Sequence, residues 1–226
     1  VLIRYGFGDL VRRIGLGNML EKTGRALHWR MPEELAHQEP PARVRRALED
    51  LGPTFVKLGQ VMATRVDLFP PGWIAEFGKL QDAAPAEPIA AILAQLTEDL
   101  GQSPETVFAD FGPEPLAAAS LAQVHRARLG DGRQVVLKVR RPGIRPLIEA
   151  DLHLLARLAD IIHSEAPDLR RYHLREVVRE FTLSLRRELD FAAECRNAER
   201  IAANFTERPE IVIPGIHWAW CGERLN

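Results

Sequence analysis

Three things are scarce in this chain of 226 residues, and each scarcity closes off a class of function. Cysteine is the first. Only Cys195 and Cys221 occur, in no recognisable spacing, which fits a reducing compartment and a fold without structural disulfides. Excess charge is the second. Thirty Lys and Arg stand against 31 Asp and Glu, a formal net charge of −1, so a nucleic-acid partner is not suggested. Long apolar runs are the third. No stretch approaches the ~20 apolar residues of a membrane span, and no signal-peptide pattern is present, which leaves peripheral membrane contact open. Internal repeats and low-complexity tracts are also missing. The arginine pairs Arg140-Arg141, Arg170-Arg171 and Arg186-Arg187 read first as solvated helix faces, and second as contacts to phosphate or anionic lipid.

What is present is a mostly helical pattern with one strand-rich interval. Short helices are expected over residues 1–30, and the prolines of 31–41 read as a connector. Helices follow over 43–51 and 53–66, the second with Pro53 in the tolerated first-turn position. Phe69-Pro70-Pro71-Gly72 breaks the pattern, and helix resumes over 73–80. Residues 83–88 read as a loop. Ile89, Ile92, Leu93, Leu96 and Leu100 keep a helical period. A short helix is expected at 104–108. Further helices run over 146–163, through Leu174, Val178, Phe181 and Leu185, and on or kinked into 191–205. Residues 211–213 and 216–218, short and rich in β-branched side chains, read as the start of a strand.

The strand-rich interval carries the chemistry. Gln123–Leu129 and Gln134–Arg140 flank Gly130-Asp131-Gly132, and an Asp-Gly turn between apolar runs signals a hairpin. Strand alternation points Lys138 away from Leu137 and Val139, so it can face a cleft while they face the core. Just upstream stands Ala117-Ala118-Ala119-Ser120, where a protein kinase carries a glycine-rich loop over ATP phosphates. Each alanine adds a Cβ that limits backbone approach and φ freedom, so such a loop should hold phosphates differently. Taken alone, Ala117–Ser120 reads as a cap in an alanine-rich chain, and Lys138 as an exposed strand lysine.

Two more patterns stand out. In Pro53–Val66, Phe55, Leu58, Met62 and Val66 form an apolar stripe, with Lys57, Gln60 and Thr64 nearly opposite. In Glu188-Leu-Asp190-Phe-Ala-Ala-Glu194, a continuous helix would set Asp190 and Glu194 on one face and Glu188 almost opposite, a pattern that a surface helix also produces. His125 lies within a strand and reads first as a hydrogen-bonded structural histidine. His153 and His163 have no ligand-spaced partners, and no metal is assigned to side chains of this segment.

Ala-Ala-Ala-Ser-Leu-Ala-Gln-Val-His followed by Val-Leu-Lys-Val-Arg-Arg-Pro-Gly-Ile resembles the UbiB family of atypical, protein-kinase-like proteins linked to ubiquinone biosynthesis. Lys57-x-Gly-Gln60 upstream, with Thr64-Arg65-Val-Asp67-Leu-Phe-Pro70 and Leu80-Gln81-Asp82, and Glu188-x-Asp190 with Glu194 downstream, agree in order and cover nearly the whole chain.

The resemblance implies an α+β fold: a kinase-like N-lobe with a small antiparallel sheet at residues 113–226, preceded by a largely helical extension at 1–112. It implies an ATP or ADP site with Mg2+, in which Ala117, Ala118, Ala119 and Ser120 cover the phosphates, Lys138 grips them and Glu194 orients Lys138. Lys57 and Gln60, with Glu188 and Asp190, would gate the cleft, occupying the place where a protein kinase docks a peptide. No His-Arg-Asp-like or Asp-Phe-Gly sequence occurs, so catalytic and metal-binding residues are expected beyond residue 226 and the chain reads as the N-terminal portion of a longer protein. The parent is expected to be an atypical kinase-like ATPase or phosphotransferase at the cytoplasmic face of a bacterial inner membrane, near isoprenoid lipids or quinone-biosynthesis enzymes. A non-catalytic pseudokinase-like scaffold that binds nucleotide or lipid is the alternative.

Overall fold

The computed structural model of the chain describes residues 1, 4–5, 38–80 and 84–226. The short helices expected over 1–30 and most of the connector at 31–41 lie outside them, as do Gln81 and Asp82. Among the described residues the order is α1 (Pro40–Leu51), α2 (Pro53–Ala63), α3 (Pro71–Phe77), α4 (Ile89–Leu100), α5 (Pro104–Val107), β1 (Phe108–Phe111), β2 (Ala117–Ala118), β3 (Ala122–Leu129) and β4 (Gln134–Arg140). Then come α6 (Ile144–Glu165), a 3-10 turn (Pro167–Tyr172), α7 (Leu174–Glu188) and α8 (Phe191–Asn204). The helices α1, α2, α3 and α5 begin on proline, where the missing N–H costs no intrahelical bond. Gly101 ends α4 in the left-handed conformation that suits a residue without Cβ.

The sheet is four-stranded and antiparallel. β4 runs along one edge of β3, from Ala122↔Arg140 to Arg128↔Gln134. The other edge is shared: β1 pairs with the Ala127–Leu129 end and β2 with Gln123 and Val124. Alternation sorts the side chains. Leu137 and Val139 of β4 and Ala127 and Leu129 of β3 turn inward, onto Ile92, Leu96, Phe108 and Leu225. Val124, Val136 and Lys138 turn to the other face. A leucine or isoleucine buried in this way contributes about 1.5–3 kcal/mol.

Two compact units divide the chain, each assembled from two stretches: Val1–Asp82 with Ile148–Thr182, and Ala83–Leu147 with Leu183–Asn226. In the first, α1, α2 and α3 pack together. Fully buried Thr54 donates to Asp151 at 2.7 Å. Phe69 and Trp73 pack on Phe77, with ring centroids 5.4 and 5.7 Å away. The second unit holds the whole sheet. α4 belongs to it and supplies Ile92 and Leu96 to its core.

The structure corrects several expectations. The buried stripe of α2 is Thr54, Phe55, Val56 and Gly59. Val66 lies beyond the helix and is 75% exposed. Gly59 explains the rotation: a Cβ there would collide with Leu80 Cδ1 and lie 2.9 Å from Leu48 Cδ1, so this face closes up through the absence of a side chain. Residues 211–213 and 216–218 form no strand. Arg224 and Asn226 take the free edge of β4 instead, through Arg140 N–H to Arg224 O at 2.9 Å and Asn226 N–H to Lys138 O at 3.1 Å. Arg140 and Arg141 do not lie on a solvated helix face. They are 6% and 8% exposed at the end of β4, where backbone carbonyls accept hydrogen bonds from their guanidinium groups. Arg170, Arg171, Arg186 and Arg187 are exposed, as expected.

Candidate nucleotide site

The outward face of the β3–β4 hairpin borders a cavity of about 1320 Å³ within the second unit. Leu116, Val124 and Val136 offer it an apolar surface, and Leu116 and Val136 are 46% and 55% exposed. Lys138 and Glu194 stand at the same cavity. Val124 and Lys138 are direct cross-strand neighbours, so the apolar surface and the ammonium adjoin on one sheet face.

Lys138 Nζ lies 2.5 Å from Glu194 Oε2, although the two residues are 56 positions apart. The same Nζ lies 4.6 Å from the centroid of the Phe191 ring, which is itself buried. The side chains of Lys138 and Glu194 are 33% and 51% exposed. An ion pair this wet contributes only about 0–1 kcal/mol to stability. The fold therefore gains little from this pair, which stands beside the cavity.

The carboxylates near Glu194 are arranged differently from a continuous helix. α7 ends at Glu188, and α8 begins at Phe191. Asp190 lies in the break in extended conformation and caps α8, accepting from Ala193 N–H at 3.0 Å. Arg196 Nη2 stands 3.4 Å from its other oxygen. The residue pair expected to gate the cleft thus includes a helix cap. Glu188 and Asp190 belong to the second unit, and Lys57 and Gln60 to the first. Lys57 and Gln60 are half-buried, and Gln60 donates to Leu80 O at 3.3 Å.

The alanine loop is part of the sheet. Ala117 and Ala118 form β2, while Ala119 turns back with its N–H on Ala122 O at 2.8 Å. That N–H cannot reach a phosphate unless the turn opens. Ser120 is buried. His125 is fully buried and stacked on Phe111, with centroids 5.3 Å apart. A neutral ring with its proton on Nδ1 donates to Gly112 O at 3.0 Å and accepts from Gln123 Nε2 at 3.2 Å. His125 is thus structural. Among the described residues no group of three or more His, Cys, Asp or Glu could hold a metal ion, and no helix is long and apolar enough to cross a membrane.

Sequence reasoning missed three residues that surround the loop. Arg141, Glu87 and Gln123 tie it to the segment before α4. Gln123 and His125 gave a usable signal: polar residues at two successive inward positions of one strand require buried partners. Cys195 and Cys221 both line the cavity. Burial, followed by the neighbouring Cys195, pushes the Cys221 thiol up to about 11.

Comparison with known proteins shows the family. Residues 79–225 match the ABC1 atypical kinase-like domain. The chain is 42% identical over 230 residues to the "Probable protein kinase UbiB" of Pseudomonas paraeruginosa, covering 100% of this chain and 43% of that protein. It is 40% identical over 225 residues to the protein of the same name from Sodalis glossinidius, covering 100% of this chain and 41% of that one. The chain thus spans less than half the length of these relatives. Among solved structures, the complex of Rv3197 with erythromycin from Mycobacterium tuberculosis shares the fold, with a TM-score of 0.54 at 23% identity, over 80% of this chain and 41% of that one. The family match over residues 79–225 and the identity along the full chain place this chain in the ABC1/UbiB family of atypical kinase-like proteins, in its N-terminal portion.

Proposed function

We propose that the second unit is the nucleotide-holding half of a UbiB-like atypical kinase or ATPase whose whole protein supports ubiquinone biosynthesis. The observation that carries this reading is the Lys138–Glu194 pair beside the cavity. The exposed apolar surface of Leu116, Val124 and Val136 suits a flat purine. Lys138, kept in place by Glu194, suits the phosphates next to it, as a strand lysine does in kinases. Arg126 and Arg128 at the same cavity add positive charge for a polyanion. Among the described residues no side-chain cluster could hold magnesium, which would arrive on the phosphates and neutralise their charge.

Within this reading, Ala117–Ser120 covers the phosphates as a stiff flap and not as a cradle of amides, because Ala119 N–H is already engaged. That same engagement favours, as a second reading, a scaffold that binds nucleotide without transferring the phosphoryl group. The gating role of Lys57, Gln60, Glu188 and Asp190, the isoprenoid or quinone-enzyme partners and the inner-membrane location belong to the proposal and rest on the family resemblance.

The test uses the full-length protein, Lys138→Met and Glu194→Gln, titrated with ATP and ADP in magnesium buffer. Both variants should stay folded, and Lys138→Met should bind about ten- to a hundredfold more weakly, as expected for loss of a charge-assisted contact. Unchanged affinity in a folded Lys138→Met protein removes Lys138 from the site. Magnesium-dependent ATP turnover by the parent selects the enzyme over the scaffold.

A further inference from the structure

The alanine loop is tied down from outside by a strap that no motif announces. Arg141, 8% exposed, spends its guanidinium on three acceptors: Nε donates to Ala119 O at 2.7 Å, Nη1 to Glu87 Oε1 at 2.6 Å and Nη2 to Pro85 O at 2.6 Å. Its own N–H donates to Leu121 O at 2.9 Å, on the far side of Ser120. The strap itself, Ala84–Glu87, grips the loop independently. Ala84 N–H donates to Ala118 O at 3.2 Å, and Glu87 N–H donates to Gln123 Oε1. Gln123 in turn holds His125, and His125 holds Gly112 at the end of β1.

We propose that Arg141, acting through Glu87, Pro85 and Ala119, is the positioning residue of the Ala117–Ser120 loop, and that the strap sets how the site receives the phosphates of its nucleotide. This rests on the nucleotide reading above. Each of these three guanidinium acceptors belongs either to the loop or to the strap, so the guanidinium works as a planar buckle between them. Lysine is a point charge with no fork and cannot serve three in-plane acceptors at once. A loop fixed in this way is ordered before ligand arrives, so the ordering cost is not charged against binding. The purine surface of Leu116, Val124 and Val136 receives none of these hydrogen bonds from Arg141. Loss of the buckle should therefore penalise phosphates and spare the base.

The experiment measures ATP, ADP and adenosine affinity for the full-length protein and for Glu87→Gln, Arg141→Lys and the double variant. Deuterium exchange of the peptide containing Ala117–Ser120 is followed without nucleotide. We expect ATP and ADP to bind about tenfold more weakly in each single variant while adenosine changes by less than about twofold, since only loop ordering is lost. Exchange in the loop should accelerate. The double variant should bind no more weakly than the weaker-binding single variant, since both substitutions act on the same buckle. If adenosine weakens as much as ATP, Arg141 is merely structural and the proposal falls. It also falls if ATP affinity is unchanged. A parent that binds ATP and loses it in Lys138→Met but not in Glu87→Gln overturns the strap alone. A parent that binds neither ATP nor ADP overturns the nucleotide reading and the strap with it. Should Arg141→Lys not fold, Glu87→Gln decides.

Discussion

The two ends of the alanine-loop region use the same chemistry to opposite purposes. At the cavity, Lys138 and Glu194 make a salt bridge between half-wet side chains from a strand and a distant helix, and the lysine retains donors for a further partner. Behind the loop, Arg141 and Glu87 make a salt bridge of similar length, but the arginine side chain is 9% exposed, against 32% for Glu87, and its Nε and Nη2 each donate to a backbone carbonyl. The first pair can be broken at small cost to the fold, which is what a ligand needs from a residue it must recruit. The second cannot be separated from the backbone it organises. Charge pairs of equal geometry thus differ in role according to how much water reaches them and how many donors they leave uncommitted.

The largest expected effect tests the buried side. Arg141→Ala removes the buckle and leaves Ala119 O and Pro85 O short of a donor. It should cost about 3 kcal/mol, the range for breaking a buried pair, read from the midpoint of chemical denaturation. A loss below about 1 kcal/mol, the ceiling for a surface pair, would make the two pairs equivalent and end the comparison. Next comes the close contact in the first unit. Gly59→Ala places a Cβ against Leu80 and Leu48 and should cost about 1–3 kcal/mol by overpacking. That would show the Lys-x-Gly-Gln glycine acting through packing, whatever Lys57 and Gln60 do.

Asp190→Ala should cost about 1 kcal/mol as a lost N-cap, while Asp190→Asn keeps most of the cap. The pair of variants separates capping from gating: a change in nucleotide affinity that appears in Asn as well as Ala belongs to the charge. Lys138→Met should change stability by less than about 1 kcal/mol in thermal or chemical denaturation, and a larger loss would move it to the structural side.

The smallest effect concerns Cys221. With its thiol raised to about 11, the folded state keeps a proton that an unfolded cysteine releases near ~8.5. The linked stability is therefore present below that value and fades as pH rises towards 11. Alkylation of Cys221 at pH 8 should be slower in the native protein than in the denatured one. Equal rates would mean that the thiol is not shielded.

Much of this was legible in the residues. The hairpin around Gly130-Asp131-Gly132, the outward turn of Lys138 and the helix at Ile89–Leu100 follow from local rules: turn chemistry, strand alternation and helical period. The Lys138–Glu194 pairing came from family resemblance, since nothing local joins residues 56 apart. What escaped was set by packing and by backbone partners. The rotation of α2 depends on Leu80 reaching Gly59. The break before Phe191 depends on Asp190 capping a new helix. Arg140 and Arg141 resemble any solvated pair until the carbonyls that surround them are known.

The second unit's core also bears on how the chain is made. Ile92, Leu96, Phe108, Ala127, Leu129, Leu137 and Val139 are joined by Leu225, from a stretch that follows α6 and α7. A ribosome delivers the hairpin well before the segment that completes its core and occupies the free edge of β4. During that interval the nascent sheet has an apolar face without its last member and an unpaired strand edge, the kind of surface that chaperones hold. Slow decoding between Leu147 and Leu183 would prolong that exposure, and rapid delivery of the returning segment would shorten it.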